Sequence, residues 1–177
     1  MKKLLFVLLI FLALEANAQK LVMNDETTDV SFTTKFLAGR LTGTFKGING
    51  SAVFNPAQLS SSYFKLMFSV AMVTTSDNQF GPNLIQPDCF YPAKYPFIEL
   101  FSTRISKGAT DSTFNFHGQL KIKGVSKNIT IPFVAKPNAG GYDFYFGFGF
   151  ARKAFGVKCD AVGKEFKVNV RAYGKKE

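Results

Sequence analysis

The chain has 177 residues, the length of one domain, with 46% hydrophobic residues and a formal net charge of +10. This apolar content excludes a disordered protein, and two cysteines are too few for a disulfide-stapled scaffold. The 21 phenylalanines, without any tryptophan, are the unusual part of the composition. The basic residues are scattered, which indicates a solvated surface rather than a nucleic-acid site and leaves weak attraction to anionic membrane surfaces open.

The N-terminus has the pattern of a secretory signal peptide. Lys2 and Lys3 form a basic segment, residues 4–14 are apolar without interruption, and Ala16-Asn17-Ala18 fits a cleavage site. The apolar run is shorter than the roughly 20 residues of a membrane span. We therefore expect a signal peptide at residues 1–18, one domain over residues 19–177, and a periplasmic or secreted protein.

From residue 30 onward, apolar and polar residues alternate with the period of two that is typical of β-strands. Turn signals such as Asn49-Gly50, Asn55-Pro56 and Lys107-Gly108 separate the runs. About eight or nine strands and no helix of ten residues predict an all-β fold, either a closed antiparallel barrel or a sandwich. The alternating runs cover residues 30–36, 41–45, 48–54, 64–70, 97–103, 114–123, 129–133, 142–150 and 166–171.

One long irregular stretch interrupts the strands, at residues 74–96. It contains four prolines and is predicted to hold a short helical turn around residues 83–85. Inserts of this length in compact domains are usually functional. We expect three of its residues to close one end of the barrel: Leu84, Phe90 and Tyr95.

If the apolar faces point inward, aromatic side chains line the interior, which in an eight-stranded barrel can hold one small ligand, as in lipocalins. The clearest strand, residues 142–150, carries five aromatic residues on one face. In residues 97–103 both faces are apolar, so the inward face of that strand is undecided, and a one-residue shift would turn a face around. The predicted lining residues are Phe32, Phe36, Phe45, Leu66, Phe68, Phe101, Phe116, Leu120, Phe144, Phe146 and Phe148.

The sequence offers little for catalysis or metal binding. His117 is the sole histidine and lies on the polar face of its strand, and no carboxylate pair has an acid–base spacing. We predict no catalytic residue, no metal, no cofactor beyond a bound lipid or isoprenoid, and no enzyme activity. Cys89 and Cys159 are candidates for a disulfide in an oxidising compartment, with a small buried thiol at Cys89 as the alternative.

Four segments, in order, resemble the YceI-like family of secreted bacterial proteins. Asn55-Pro56 with the strand after it is similar to "FDP…S…", and residues 87–98 resemble "SPDFFD…KYPTITF". Residues 118–127 resemble "GDLTIHGVTK", and Arg152, Phe155 and Gly156 fit "NRxDFG". The resemblance implies an eight-stranded lipocalin-like barrel that binds polyisoprenoids, isoprenoid quinones or fatty amides and acids, without catalysis. Phe36, Ala154 and residues 80–84 replace polar or charged family residues, which makes the entrance more apolar.

The predicted function is therefore that of a periplasmic binding protein for a long-chain lipid or isoprenoid held in the barrel. Two alternatives stay open: a non-catalytic structural or interaction barrel with a filled core, and an eight-stranded outer-membrane barrel. A homodimer is compatible with each of these three functions. Nucleic acid is not an expected partner.

Overall fold

A computed structural model describes residues 18–37 and 39–173 of the chain. The predicted signal peptide lies outside these residues except for Ala18. The nine strands of the described part are β1 (Gln19–Asn24), β2 (Thr28–Phe36), β3 (Gly39–Phe54), β4 (Tyr63–Thr75), β5 (Phe97–Lys107), β6 (Thr113–Ile122), β7 (Val125–Asn138), β8 (Gly141–Ala151) and β9 (Val162–Tyr173). Helix in residues 18–37 and 39–173 is limited to α1 (Gly81–Leu84) and the short 3-10 turns Leu59–Ser61 and Arg152–Phe155.

The strands form one antiparallel sheet in the order β1-β3-β2-β9-β8-β7-β6-β5-β4. A further pairing of β3 with β4 closes eight of them into a barrel. The ninth strand, β1, pairs with the second half of β3, beyond the residues that pair with β2. The predicted all-β, eight-stranded barrel is confirmed, with one strand more than the barrel needs.

Strand β3 differs from the prediction, which divided it into runs at residues 41–45 and 48–54 and interpreted Asn49-Gly50 as a turn. The structure has one bulged strand there, and Asn49 and Gly50 pair with β1 on one side and with β4 on the other. A Cβ atom on Gly50 would lie 3.1 Å from the backbone of Leu66. The glycine thus permits the close approach of β4 rather than a turn.

The barrel has two ends that differ in construction. We call the end where β2, β4, β6 and β8 finish the loop end, because the long loop of residues 76–96 crosses it. The opposite end, where β3, β5 and β7 finish, is the hairpin end. The predicted turns at Asn55-Pro56 and Lys107-Gly108 lie at the hairpin end.

Phenylalanine rings fill the interior as expected from the alternation. Near the hairpin end, Phe54 lies 5.2 Å from Phe144 and 5.1 Å from Phe114 between ring centroids. Nearer the loop end, Phe32 contacts Phe45 at 5.3 Å and Phe166 at 5.5 Å. The interior is therefore packed ring against ring along the barrel axis, mostly in tilted and edge-to-face geometries.

The prediction for Phe101 was wrong. Its neighbours Ile98 and Leu100 are buried in the core, whereas Phe101 lies on the outer face opposite Lys65. The ammonium of Lys65 lies 5.7 Å from the centroid of the Phe101 ring. Because both faces of β5 are apolar, alternation alone could not assign its inward face, and pairing with Leu66 decides it.

The seam between β7 and β8 is hydrogen-bonded over only part of its length. Their ladder runs from the Phe133–Phe146 pair to the Asn138–Gly141 pair near the hairpin end. Toward the loop end, β7 continues along β6 and β8 along β9. Two side chains on the barrel-facing side of this splay, Ile129 and Phe148, are only partly buried. The wall is thus looser toward the loop end.

The barrel wall is apolar inside and polar outside. In β9, for example, Phe166 and Val168 are buried while Lys167 and Asn169 are exposed. This polarity is opposite to that of outer-membrane barrels, whose apolar band faces outward. Within the described residues, every helix is too short to cross a bilayer.

Candidate functional site

A cavity of about 450 Å³ opens at the loop end of the barrel. Phe36 and Leu37 reach it from the end of β2, Phe80 from the long loop, and Cys159 from the segment between β8 and β9. The rings of Phe36 and Phe80 lie 4.6 Å apart between centroids. Polar groups border the same cavity: Asn83, Gln86, Asp88 and Asp160.

The long loop covers the loop end by burying apolar side chains between the strands. Leu84, on α1, is fully buried, and so is Phe90. The Phe90 ring lies 6.5 Å from Phe45 and 5.7 Å from Phe166, so it joins the aromatic interior. Tyr95 is half-buried and packs against the turn at Gly124 instead. The loop residues predicted to close one end thus lie at that end, two of them inside the core.

The loop is fastened on two sides. A disulfide joins Cys89 to Cys159, with 4.7 Å between their Cα atoms, and the Lys158 amide donates to the Asp88 carbonyl at 2.7 Å. On the other side, the Lys123 ammonium donates to the carbonyls of Pro87 and Asp88 at 2.8 and 3.1 Å. Burial lowers the pKa of Lys123, although the charge of Asp88 opposes that shift. Both attachments hold the segment around Asp88 beside the cavity.

Arg152 organises the segment between β8 and β9. Its buried guanidinium donates to the Gly163 and Val157 carbonyls, each at 3.1 Å, and lies 3.5 Å from the carboxylate of the exposed Asp160. Gly156 takes a left-handed conformation, with φ of 70°, which ends the 3-10 turn. Phe155 packs edge-on to Phe150. The residues that fit the "NRxDFG" pattern therefore shape this segment of the loop end.

The structure places most of the predicted lining residues inside the barrel. Phe36 and Phe148 are partly buried at its edges, and Phe101 is outside. The buried members of the predicted set are Phe32, Phe45, Leu66, Phe68, Phe116, Leu120, Phe144 and Phe146.

Sequence reasoning did not select Leu37, Phe80, Asn83, Gln86 or Asp160 as site residues. They come from three segments far apart in the chain, and only the fold brings them to one cavity. The one available signal was the apolar replacement at residues 80–84, which marked the entrance without identifying its contacts.

Neither His117 nor Glu99 is among the residues that line the cavity. His117 interacts through its ring nitrogens with the hydroxyls of Ser106 and Thr130, at 2.9 and 3.2 Å. Glu99 lies on the outer face and forms an ion pair with Lys121 at 2.9 Å. In the part of the chain that the structure describes, His, Cys, Asp and Glu form no cluster of three that could hold a metal ion.

Comparisons with known proteins agree with this architecture. The profile of the YceI-like domain matches residues 21–173. A UPF0312 protein of Azotobacter vinelandii is 30% identical over 126 residues, which span 68% of this chain and 65% of that relative. The match therefore covers just under two thirds of the relative's own length.

Solved structures share the fold at low sequence identity. BcnA of Burkholderia cenocepacia is similar with a TM-score of 0.76 at 23% identity, over 81% of this chain and 94% of that one. A domain of Saccharophagus degradans, described as polyisoprenoid-binding and implicated in plant cell wall breakdown, has a TM-score of 0.66 at 8% identity. That likeness covers 91% of this chain and all of the other.

Proposed function

We propose that this chain, which belongs to the YceI-like domain family, binds a long-chain apolar molecule at the loop end of its barrel. The ligand classes are polyisoprenoids, isoprenoid quinones, and fatty amides or acids. The observation that carries the proposal is the cavity beside the aromatic interior, with the Phe36 and Phe80 rings at its apolar side. The polyisoprenoid-binding description of the Saccharophagus degradans domain supports the ligand class.

The cavity has a suitable size and lining for one end of such a ligand. Ligand pockets commonly measure about 300–1,000 Å³ and are mainly apolar with a few polar groups. Here Phe36, Leu37 and Phe80 supply the apolar contacts, and Asn83 and Gln86 supply amide groups that could orient a polar head. Burial of about 300 Å² of hydrocarbon would contribute several kcal/mol to binding.

A tail longer than the cavity needs additional room inside the barrel. The rings next to the cavity are closely packed, so the tail would displace side chains near the incompletely paired β7–β8 seam, where Ile129 and Phe148 are only partly buried. We therefore propose that the ligand enters at the loop end and extends along this seam. The protein's role is binding without catalysis.

Binding of geranylgeraniol and of stearic acid to the purified protein tests the proposal, with quenching of tyrosine fluorescence and native mass spectrometry as readouts. The substitution Phe36→Ser removes about 60 Å² of apolar contact and is expected to weaken binding about tenfold. The matched control is Phe101→Ser, which makes the same chemical change on the outer face and should leave the affinity unchanged.

Two results would contradict the proposal. One is the absence of binding of either probe, together with no copurifying lipid in native mass spectra; the barrel would then be a structural or interaction domain with a filled core. The other is an equal effect of the two serine variants, which would place binding away from the loop end.

We also propose that the protein is exported and acts in the periplasm or outside the cell. The basic segment, apolar run and Ala16-Asn17-Ala18 support this location. N-terminal sequencing of the protein recovered from cell fractions tests it, with a mature chain beginning near Gln19 as the expected result. A full-length chain in the cytoplasmic fraction would refute it.

A further inference from the structure

A basic groove lies on the outer wall of the barrel, beside the loop end. Its volume is about 710 Å³, and β2, β3 and β9 supply its walls. Four of its side chains are cationic and exposed, namely Lys35, Arg40, Lys164 and Lys167. The groove residues include one carboxylate, that of Glu165.

Two of the groove cations lie where their like charges repel each other. Lys35 and Arg40 are direct cross-strand partners in the β2–β3 ladder, and like charges in that position destabilise a sheet. Among the described residues, none of the four groove cations takes part in an ion pair; the two ion pairs there join Lys121 with Glu99 and Arg152 with Asp160. This arrangement is complementary to an anionic partner.

Leu37 follows Lys35 and Phe36 at the tip of the β2–β3 connection. This residue is 86% exposed, the highest value among the exposed large apolar residues that the structure describes. Its φ of 46° lies in the left-handed region, which disfavours leucine and is easily adopted by glycine or asparagine. Neither exposure to water nor backbone conformation therefore favours leucine at this position. An apolar environment outside the protein would favour a leucine here.

The exposed leucine, the groove and the loop-end cavity are neighbours. Leu37 lines the cavity, and Lys35, two residues before it, lines the groove. An apolar residue flanked by basic ones is the combination that binds anionic bilayers, since the side chain enters the interface while the cations meet lipid phosphates.

We propose that the Leu37 tip and the basic groove dock the barrel onto an anionic lipid bilayer. Leu37 enters the boundary between headgroups and acyl chains, and the cations of the groove contact the lipid phosphates. The loop-end cavity then faces the bilayer from which an apolar ligand would be taken. The purpose given to docking rests on the proposed function. Docking itself can be measured without ligand.

Flotation of the whole protein with phosphatidylcholine vesicles, with or without phosphatidylglycerol, tests the proposal. Binding is expected only when phosphatidylglycerol is present, and it should weaken as salt concentration rises. The double variant K35Q/R40Q should bind about 25-fold more weakly, because each basic residue at an anionic surface contributes about fivefold to affinity. The matched control, R104Q/K136Q, removes the same charge near the hairpin end and should bind within about twofold of the natural protein.

The substitution Leu37→Asn separates docking from folding. Asparagine tolerates the left-handed conformation, so thermal stability should be unchanged or higher. Vesicle binding should nevertheless fall about tenfold, since the apolar insertion is lost.

Docking is refuted if K35Q/R40Q or L37N binds anionic vesicles as the natural protein does, or if R104Q/K136Q loses as much as K35Q/R40Q. It is equally refuted if the groove binds inorganic phosphate or heparin while the protein ignores vesicles. Geranylgeraniol binding, measured without vesicles, tests the proposed function independently of docking. Ligand binding without docking refutes only this inference, and docking without ligand binding refutes only the proposed function.

Discussion

The hairpin end and the loop end of the barrel are built from the same residue type in different ways. At the hairpin end, the ring of Phe54 contacts those of Phe64, Phe114, Phe133, Tyr142 and Phe144. At the loop end, Phe36 is only partly buried and contacts Phe80 beside an open cavity. Paired strands enclose the first cluster, whereas a loop fastened by Cys89 and Lys123 covers the second.

This difference indicates a division of roles between the two ends. A core in which aromatic rings surround one another resists opening, because every displaced ring leaves several contacts unmade. A loop held by a few attachments can open locally at lower free energy than the whole fold. The hairpin end therefore provides stability, and the loop end provides access.

Removal of the disulfide is expected to have the largest effect on the difference between the two ends. The variant C89S/C159S releases a closed loop with a sequence separation of 70 residues, which the chain-entropy relation values at about 4.4 kcal/mol of unfolding free energy. Denaturant unfolding measures the total, and amide hydrogen exchange shows where it acts. Amides of β6 and the hairpin end, which exchange through global unfolding, should lose protection by that total, while residues 76–96 exchange faster still because they open locally. Equal exchange free energies at both ends would show that the loop end is not an independent unit.

Phenylalanine truncation at the two ends should give the next largest difference. Phe54→Ala removes a ring that is 1% exposed, and the cavity left behind should lower the free energy of unfolding by about 4 kcal/mol. Phe36→Ala, at a partly buried ring, should cost about 1 kcal/mol. Urea unfolding with unchanged m-values provides both numbers. Similar losses at the two positions would remove the distinction between a structural and an accessible end.

The smallest of the three effects concerns Arg152 and its ion-pair partner. Arg152→Leu leaves the carbonyls of Gly163 and Val157 without their donor, and should cost about 2–3 kcal/mol. Asp160→Asn should change stability by less than about 0.5 kcal/mol, because the Asp160 side chain is 95% exposed and the pair is screened by water. Thermal unfolding of the two variants checks the ordering. A larger loss for Asp160→Asn would mean that the ion pair, rather than the backbone hydrogen bonds, holds this segment.

Much of the fold could be predicted because its signal is local. The run from Tyr142 to Phe150 predicted one aromatic face, and the structure has Phe144, Phe146 and Phe150 buried on that face of β8. Two local sequence patterns led to wrong predictions. Asn49-Gly50 resembled a turn but lies within β3, where the glycine accommodates β4. Phe101 appeared inward because β5 is apolar on both faces.

The candidate site was predictable only in outline. The long loop was expected to close one end, and Leu84 and Phe90 lie there. Apart from Phe36, the apolar lining of the cavity was not foreseen, because Leu37 and Phe80 lie in irregular segments where no period indicates a direction. β1 was also missed, since residues 19–24 are short and pair only with the far half of β3.

The sequence by itself determined the strand periodicity, the phenylalanine-rich core and the resemblance to the YceI-like family, because each depends on residue types at short, fixed spacing. Only the tertiary structure decided which face of β5 turns inward, how β3 spans both of its neighbours, and which residues border the cavity. These features depend on hydrogen bonding and packing between segments far apart in the chain. The 70-residue separation of the Cys89–Cys159 disulfide shows how long-range such contacts are at the loop end.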